Sequence, residues 1–88
     1  MEILFGRKFQ KRFKSLDQRV KKSFEKRLKI FTHDPRAPLL NIHPLSGEFS
    51  GCYSINVTGD YRAIFELRQD DTVVVFILIG THHELYGK

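Results

Sequence analysis

Apolar residues Phe9, Phe13 and Leu16 recur at i, i+4 and i+7, with Lys8, Lys11, Arg12 and Lys14 between them. That spacing predicts one face of an amphipathic helix. A second stripe, Val20, Phe24, Leu28 and Phe31, runs down to Asp34-Pro35, where proline stops helical propagation. Ser15 followed by Gln18 has the form of a capping box at the start of this second helix. Ahead of both, Glu2 to Phe5 reads as a short strand ended by Gly6. The helices are expected to pair as a hairpin, with their aromatic stripes turned into the core.

From Pro35 to Pro44 three prolines, followed by Ser46-Gly47, punctuate an extended connection, with a short edge strand expected at Leu39 to Ile42. His43 precedes Pro44, which biases it toward an extended, rigid backbone.

The period then changes to two. Tyr53, Ile55 and Val57 alternate with Cys52, Ser54 and Asn56; Tyr61, Ala63, Phe65 and Leu67 alternate with Arg62, Ile64, Glu66 and Arg68. A two-residue turn would put Ile55 on the face of Arg62. A three-residue loop, Thr58-Gly59-Asp60, with glycine at positive φ, instead opposes Val57 to Tyr61, Ile55 to Ala63 and Asn56 to Arg62, and one face stays apolar throughout. A turn at Gln69-Asp70-Asp71 leads into the apolar run Val73 to Ile79. This reads as a buried strand and is far short of the roughly 20 residues that cross a bilayer. Beyond it lies a polar tail from Gly80 to Lys88, with His82, His83, Glu84 and Tyr86, which we read as one wall of an active site. The predicted architecture is α+β: an N-terminal strand, a two-helix hairpin, then an antiparallel β-meander with the helices packed on one face.

A chain of 88 residues supports one core, so residues 1–88 are expected to form a single domain. Cys52 is the only cysteine, which excludes an internal disulfide. The three apolar residues between Glu2 and Gly6 do not make a signal peptide, and the cytoplasm is the expected compartment, with no membrane partner. Charge sharpens the expectation about partners. Of 15 Lys and Arg residues, eleven lie between Arg7 and Lys29, against only Asp17 and Glu25, so that segment carries +9 of a net +5 and the remainder is negative. RNA, a ribosome surface or an acidic protein would meet such a segment.

Three segments taken in order resemble one known family: His-Pro-Leu-Ser-Gly-Glu-Phe from His43, Gly-Asp-Tyr-Arg-Ala-Ile-Phe from Gly59, and Ile-Gly-Thr-His-His-Glu-Leu-Tyr-Gly from Ile79. With the basic hairpin before them, they resemble the RelE/ParE superfamily of toxins of type II toxin–antitoxin systems. The tail looks most like the RelE and YafQ branch. The resemblance implies a RelE-like fold and a ribosome-dependent endoribonuclease, an mRNA interferase that cleaves mRNA in the A site. It also implies a cognate antitoxin as partner. Metal-free RNA cleavage needs a base for the 2′-hydroxyl, an acid for the leaving 5′-oxygen and a cation over the phosphate, and it needs no cofactor. By resemblance, His82 is an acid/base, Tyr86 completes the site, His43 and Asp60 match further site positions, and Arg62 matches a phosphate-contacting arginine. Lys8, Lys11, Arg12, Lys14, Arg19, Lys22 and Lys26 would hold RNA phosphates of the ribosome. The chain departs from the YafQ-like pattern at Asn56, where that branch carries a further histidine, so His82 and His43 would share the proton transfers. The alternatives are a ParE-like inhibitor of DNA gyrase and a catalytically degenerate, antitoxin-binding member.

Overall fold

The apolar run of the sequence becomes β5 (Val73–Thr81), which lies inside the sheet between β1 (Glu2–Phe5), parallel to it, and β4 (Tyr61–Arg68), antiparallel to it. Flanked on both sides by strands, it has no use for the polar alternation of an edge. The computed structural model describes residues 1–87. Its remaining elements are α1 (Arg7–Ser15), α2 (Gln18–His33), β2 (His43–Pro44), β3 (Cys52–Asn56) and α3 (His82–Tyr86), and the five strands are ordered β1-β5-β4-β3-β2. No helix among the described residues is long and apolar enough to cross a membrane.

The β3–β4 register is the expected one, with Asn56 opposite Arg62 and Ile55 opposite Ala63. The reason differs from the expected one: Gly59 does not adopt positive φ. The Thr58 hydroxyl oxygen closes the turn instead, accepting from the N–H groups of Asp60 at 3.2 Å and Tyr61 at 2.9 Å, a local bond that threonine makes readily. Gln69, Asp70 and Asp71, by contrast, all have positive φ in the β4–β5 turn.

One face of the sheet receives α1 and α2. Phe9, Phe24, Phe31, Phe65 and Phe76 are buried together there, with ring centroids 5.3 Å apart for Phe9–Phe24 and for Phe24–Phe76. Each such side chain contributes about 1.5–3 kcal/mol of transfer free energy. A bulge between Ile64 and Phe65 lets β5 point both Phe76 and Ile79 into this core.

Two local expectations are corrected. Ser15 does not cap α2, because it is still the last residue of α1 and its hydroxyl donates to the Arg12 carbonyl at 2.8 Å. Asp17 is the cap, its Oδ1 accepting from the Val20 N–H at 3.1 Å. The edge strand expected at Leu39 to Ile42 is absent. Pro38–Leu40 forms a 3-10 turn with proline at its first position and Leu40 buried, and the strand that does form is His43–Pro44. The polar tail forms a short helix over His82–Tyr86. Thr81 and Glu84 make a reciprocal capping box that starts α3, and Gly87 at φ 67° ends it. Leu85 and Ile64 are buried outside the main core, with α3 lying on the sheet face opposite α1 and α2.

Candidate active site

On that second face α3, β4 and the segment from Asn41 to Ser46 enclose a cleft of about 520 Å³, whose walls include His43, Ser54, Arg62, His82 and Tyr86. The sheet brings them together. His43 stands opposite Ser54 across β2–β3, and Arg62 stands opposite Gly80, two residues before the helix that carries His82 and Tyr86.

His82 and Tyr86 are one helical turn apart, so their rings meet edge-on with centroids 4.6 Å apart. Phe49 packs on the other side of Tyr86 at 6.1 Å. The His82 ring is exposed and has no hydrogen-bond partner among the described residues, while its backbone N–H donates to the Asp60 carbonyl at 3.1 Å. Asp60 thus stands outside the cleft wall and acts on it through its main chain. One guanidinium nitrogen of Arg62 donates to the carbonyls of Thr58 at 2.9 Å, Tyr61 at 3.0 Å and Gly59 at 3.2 Å. The turn thereby orients one edge of the guanidinium fork and leaves its remaining donors for the cleft. Neither Glu66 nor Glu84 neutralises it, since they pair with Arg68 and Arg12. His83 is on α3 but outside the cleft.

Asn56 lies beside Arg62 in register, and its side-chain oxygen is buried without a partner. Among the described residues no three His, Cys, Asp or Glu side chains come together as a metal site would require. What the cleft does offer is two imidazoles, a guanidinium and a phenol around one open space: groups that move protons and hold an anion.

Sequence reasoning missed the parts that place α3. Gly80 is one. A Cβ there would lie 3.1 Å from Glu84 Oε1 and 3.5 Å from Leu85 Cδ2, so α3 sits directly on its backbone. Gly80→Val is expected to push α3 outward and, by overpacking, cost about 1–3 kcal/mol of stability. The assay is a thermal melt, and an unchanged melting temperature would contradict it. Glu84 is the other part. Its Oε1 accepts from the Thr81 N–H at 2.8 Å, and its other oxygen lies 3.5 Å from Arg12, tying α3 to α1. The Thr81 N–H above all, with help from the Thr81 hydroxyl and Arg12, holds the Glu84 carboxyl below the usual carboxylate range despite partial burial. Because the folded-state value is depressed, this stabilisation is complete above the unfolded value of about 4.3 and disappears as pH falls through the folded value. The wild-type melting temperature should therefore fall more between pH 5 and pH 3 than that of Glu84→Gln; equal slopes would refute the linkage. The signal for this element was legible in Thr81-His82-His83-Glu84, a capping-box pattern.

The basic residues divide among several surfaces. Lys8, Lys11 and Arg12 line a groove with Leu78 of β5, and Arg12 carries it to Glu84 on α3. Lys22 and Lys26 lie in a separate depression on α2, and Arg19 is exposed near the start of that helix. Lys14 borders an apolar groove of about 400 Å³ walled by Phe5, Phe9, Phe13, Phe24 and Leu28.

A model of the family described as ParE toxin of type II toxin–antitoxin system, parDE, matches residues 3–86. The chain belongs to this toxin family, within the RelE/ParE superfamily. Among solved structures the toxin is similar to YafQ from Escherichia coli BL21(DE3), at 23% identity over 98% of each chain and a TM-score of 0.81. It is also similar to the E. coli DinJ–YafQ toxin–antitoxin complex, at 24% identity over 98% of this chain and 97% of that one with a TM-score of 0.78. The archaeal RelE–RelB complex from Pyrococcus horikoshii OT3 matches at 20% identity over 91% and 92% of the two chains with a TM-score of 0.70. At these identities the structural matches show the toxin's fold. Against curated proteins the toxin gives no match.

Proposed function

We propose that the toxin is an endoribonuclease that enters the ribosomal A site and cuts the mRNA there by metal-free acid/base chemistry, in the cytoplasm, until a cognate antitoxin binds it. The observation that carries this reading is the convergence of His43, Arg62, His82 and Tyr86 on one cleft. His82, with its ring unpaired, exchanges protons with the substrate. Arg62, held by its turn, places positive charge over the scissile phosphate, where charge accumulates in the transition state. Tyr86 backs the His82 ring and presents a phenol and an aromatic face to the bases. Asp60 supports the site through its carbonyl to the His82 N–H. Lys8, Lys11, Arg12 and Lys14 carry basic charge along α1, where rRNA phosphates would lie, while Arg19, Lys22 and Lys26 carry it along α2.

The antitoxin is supported by membership of a toxin–antitoxin family and by the fold shared with toxins solved in DinJ–YafQ and RelE–RelB complexes. The apolar groove bordered by Lys14 is a surface that such a partner would cover.

One observation favours a second reading. The matching family is that of ParE toxins, and a ParE-like member would inhibit DNA gyrase by binding, without proton transfer. Expression of the toxin without antitoxin separates the two. The nuclease reading expects truncated messages with intact chromosomal DNA; DNA breaks with intact messages would reverse it.

A further inference from the structure

One polar side chain among the described residues is completely buried: that of Ser54. A hydroxyl is costly to bury unless it is hydrogen-bonded, and this one has a single partner, His43 Nε2, at 3.3 Å. The other ring nitrogen, Nδ1, lies 3.0 Å from the carbonyl oxygen of Asn41. Main-chain geometry sets up both contacts. Ser54 faces His43 directly across β2–β3, and Asn41, two residues earlier, takes the left-handed conformation at φ 47°.

The chemistry of the two partners decides where the ring hydrogen sits. A carbonyl oxygen only accepts, so Nδ1 carries the hydrogen. The neutral ring then has its lone pair at Nε2, and the Ser54 hydroxyl donates to it. The other tautomer would set the Nδ1 lone pair against the carbonyl.

We propose that Ser54 is a positioning residue for His43, holding its ring in the Nδ1–H tautomer against the cleft wall. With both nitrogens tied, His43 serves the reaction through its fixed orientation, and direct proton exchange with substrate falls to His82. The consequence for catalysis rests on the nuclease reading given above; the tautomer does not.

The test pairs long-range ¹H–¹⁵N NMR of the histidine rings near pH 8, where an ordinary imidazole is neutral, with message cleavage on translating ribosomes, for wild type, Ser54→Ala and Ser54→Thr. Exposed His83 serves as the internal reference. Wild-type His43 should show the Nδ1–H tautomer. Ser54→Ala should move its signals toward the mixed pattern of His83 and lower cleavage by about tenfold, the scale of one lost hydrogen bond. Ser54→Thr, which keeps the hydroxyl, should restore both. An Nε2–H tautomer in wild type overturns the proposal even if Ser54→Ala fails to fold, as do His43 signals unchanged in Ser54→Ala. Shifted signals with undiminished cleavage would overturn the positioning role while leaving the nuclease reading intact. A wild type that cuts no message fails that reading, and the NMR result still decides the hydrogen bond.

Discussion

On the proposed nuclease reading, His82→Ala is expected to lower message cleavage on translating ribosomes by about 10²–10⁴-fold, the contribution of a positioned acid or base, and to leave the fold intact. The second half of that expectation is as important as the first. The His82 side chain is exposed and touches Tyr86 alone among the aromatic residues, while its bond to Asp60 is made by the backbone N–H, which alanine keeps. Stability should therefore change by no more than about 0.5 kcal/mol, as at other exposed positions. His82→Gln keeps a hydrogen-bonding side chain but cannot move a proton, so its rate should fall as far. Single-turnover cleavage beside thermal denaturation measures both quantities. A rate within tenfold of wild type would remove His82 from the chemistry.

Arg62→Ala comes next, with an expected loss of about 10²–10³-fold, the scale seen when a donor to developing negative charge is removed. Here stability moves too. The guanidinium ties the Thr58, Gly59 and Tyr61 carbonyls, and losing a partly exposed charged hydrogen bond costs about 1 kcal/mol. In a domain of this size that lowers the melting temperature by about 4–8 °C. Arg62→Lys separates the two roles: it restores a charge at the phosphate but not the fork that spans turn and substrate together. Its rate should fall between those of wild type and Arg62→Ala. If Lys restored neither rate nor stability, the guanidinium would be acting on the turn alone.

The parts of the fold legible in the sequence were those fixed by a repeating demand. The β3–β4 register follows because a one-residue slip turns Ile55 out of the core, so alternation across a short loop decides it, whatever closes the turn. Helix boundaries were harder. Ser15 and Asp17 are both good caps, and nothing in their spacing says that α1 continues through Ser15. α3 escaped because five residues, two of them histidine, make no apolar stripe, and its placement depends on Gly80 lying beneath it. The site divides in the same way. His43, Arg62, His82 and Tyr86 were singled out by resemblance, whereas their meeting in one cleft depends on a sheet register that no single motif contains. Asp60 matches a site position by resemblance, and the structure employs its carbonyl. Ser54 carried no signal, because its importance arises only once β2 pairs with β3.

The measurement that tests the central claim most directly is primer extension on a defined message in translating ribosomes, with purified wild type and His82→Ala compared side by side. Cuts within the A-site codon that vanish in the variant are the predicted result. An uncut message in the presence of folded wild type, or the same cuts made by His82→Ala, would contradict it.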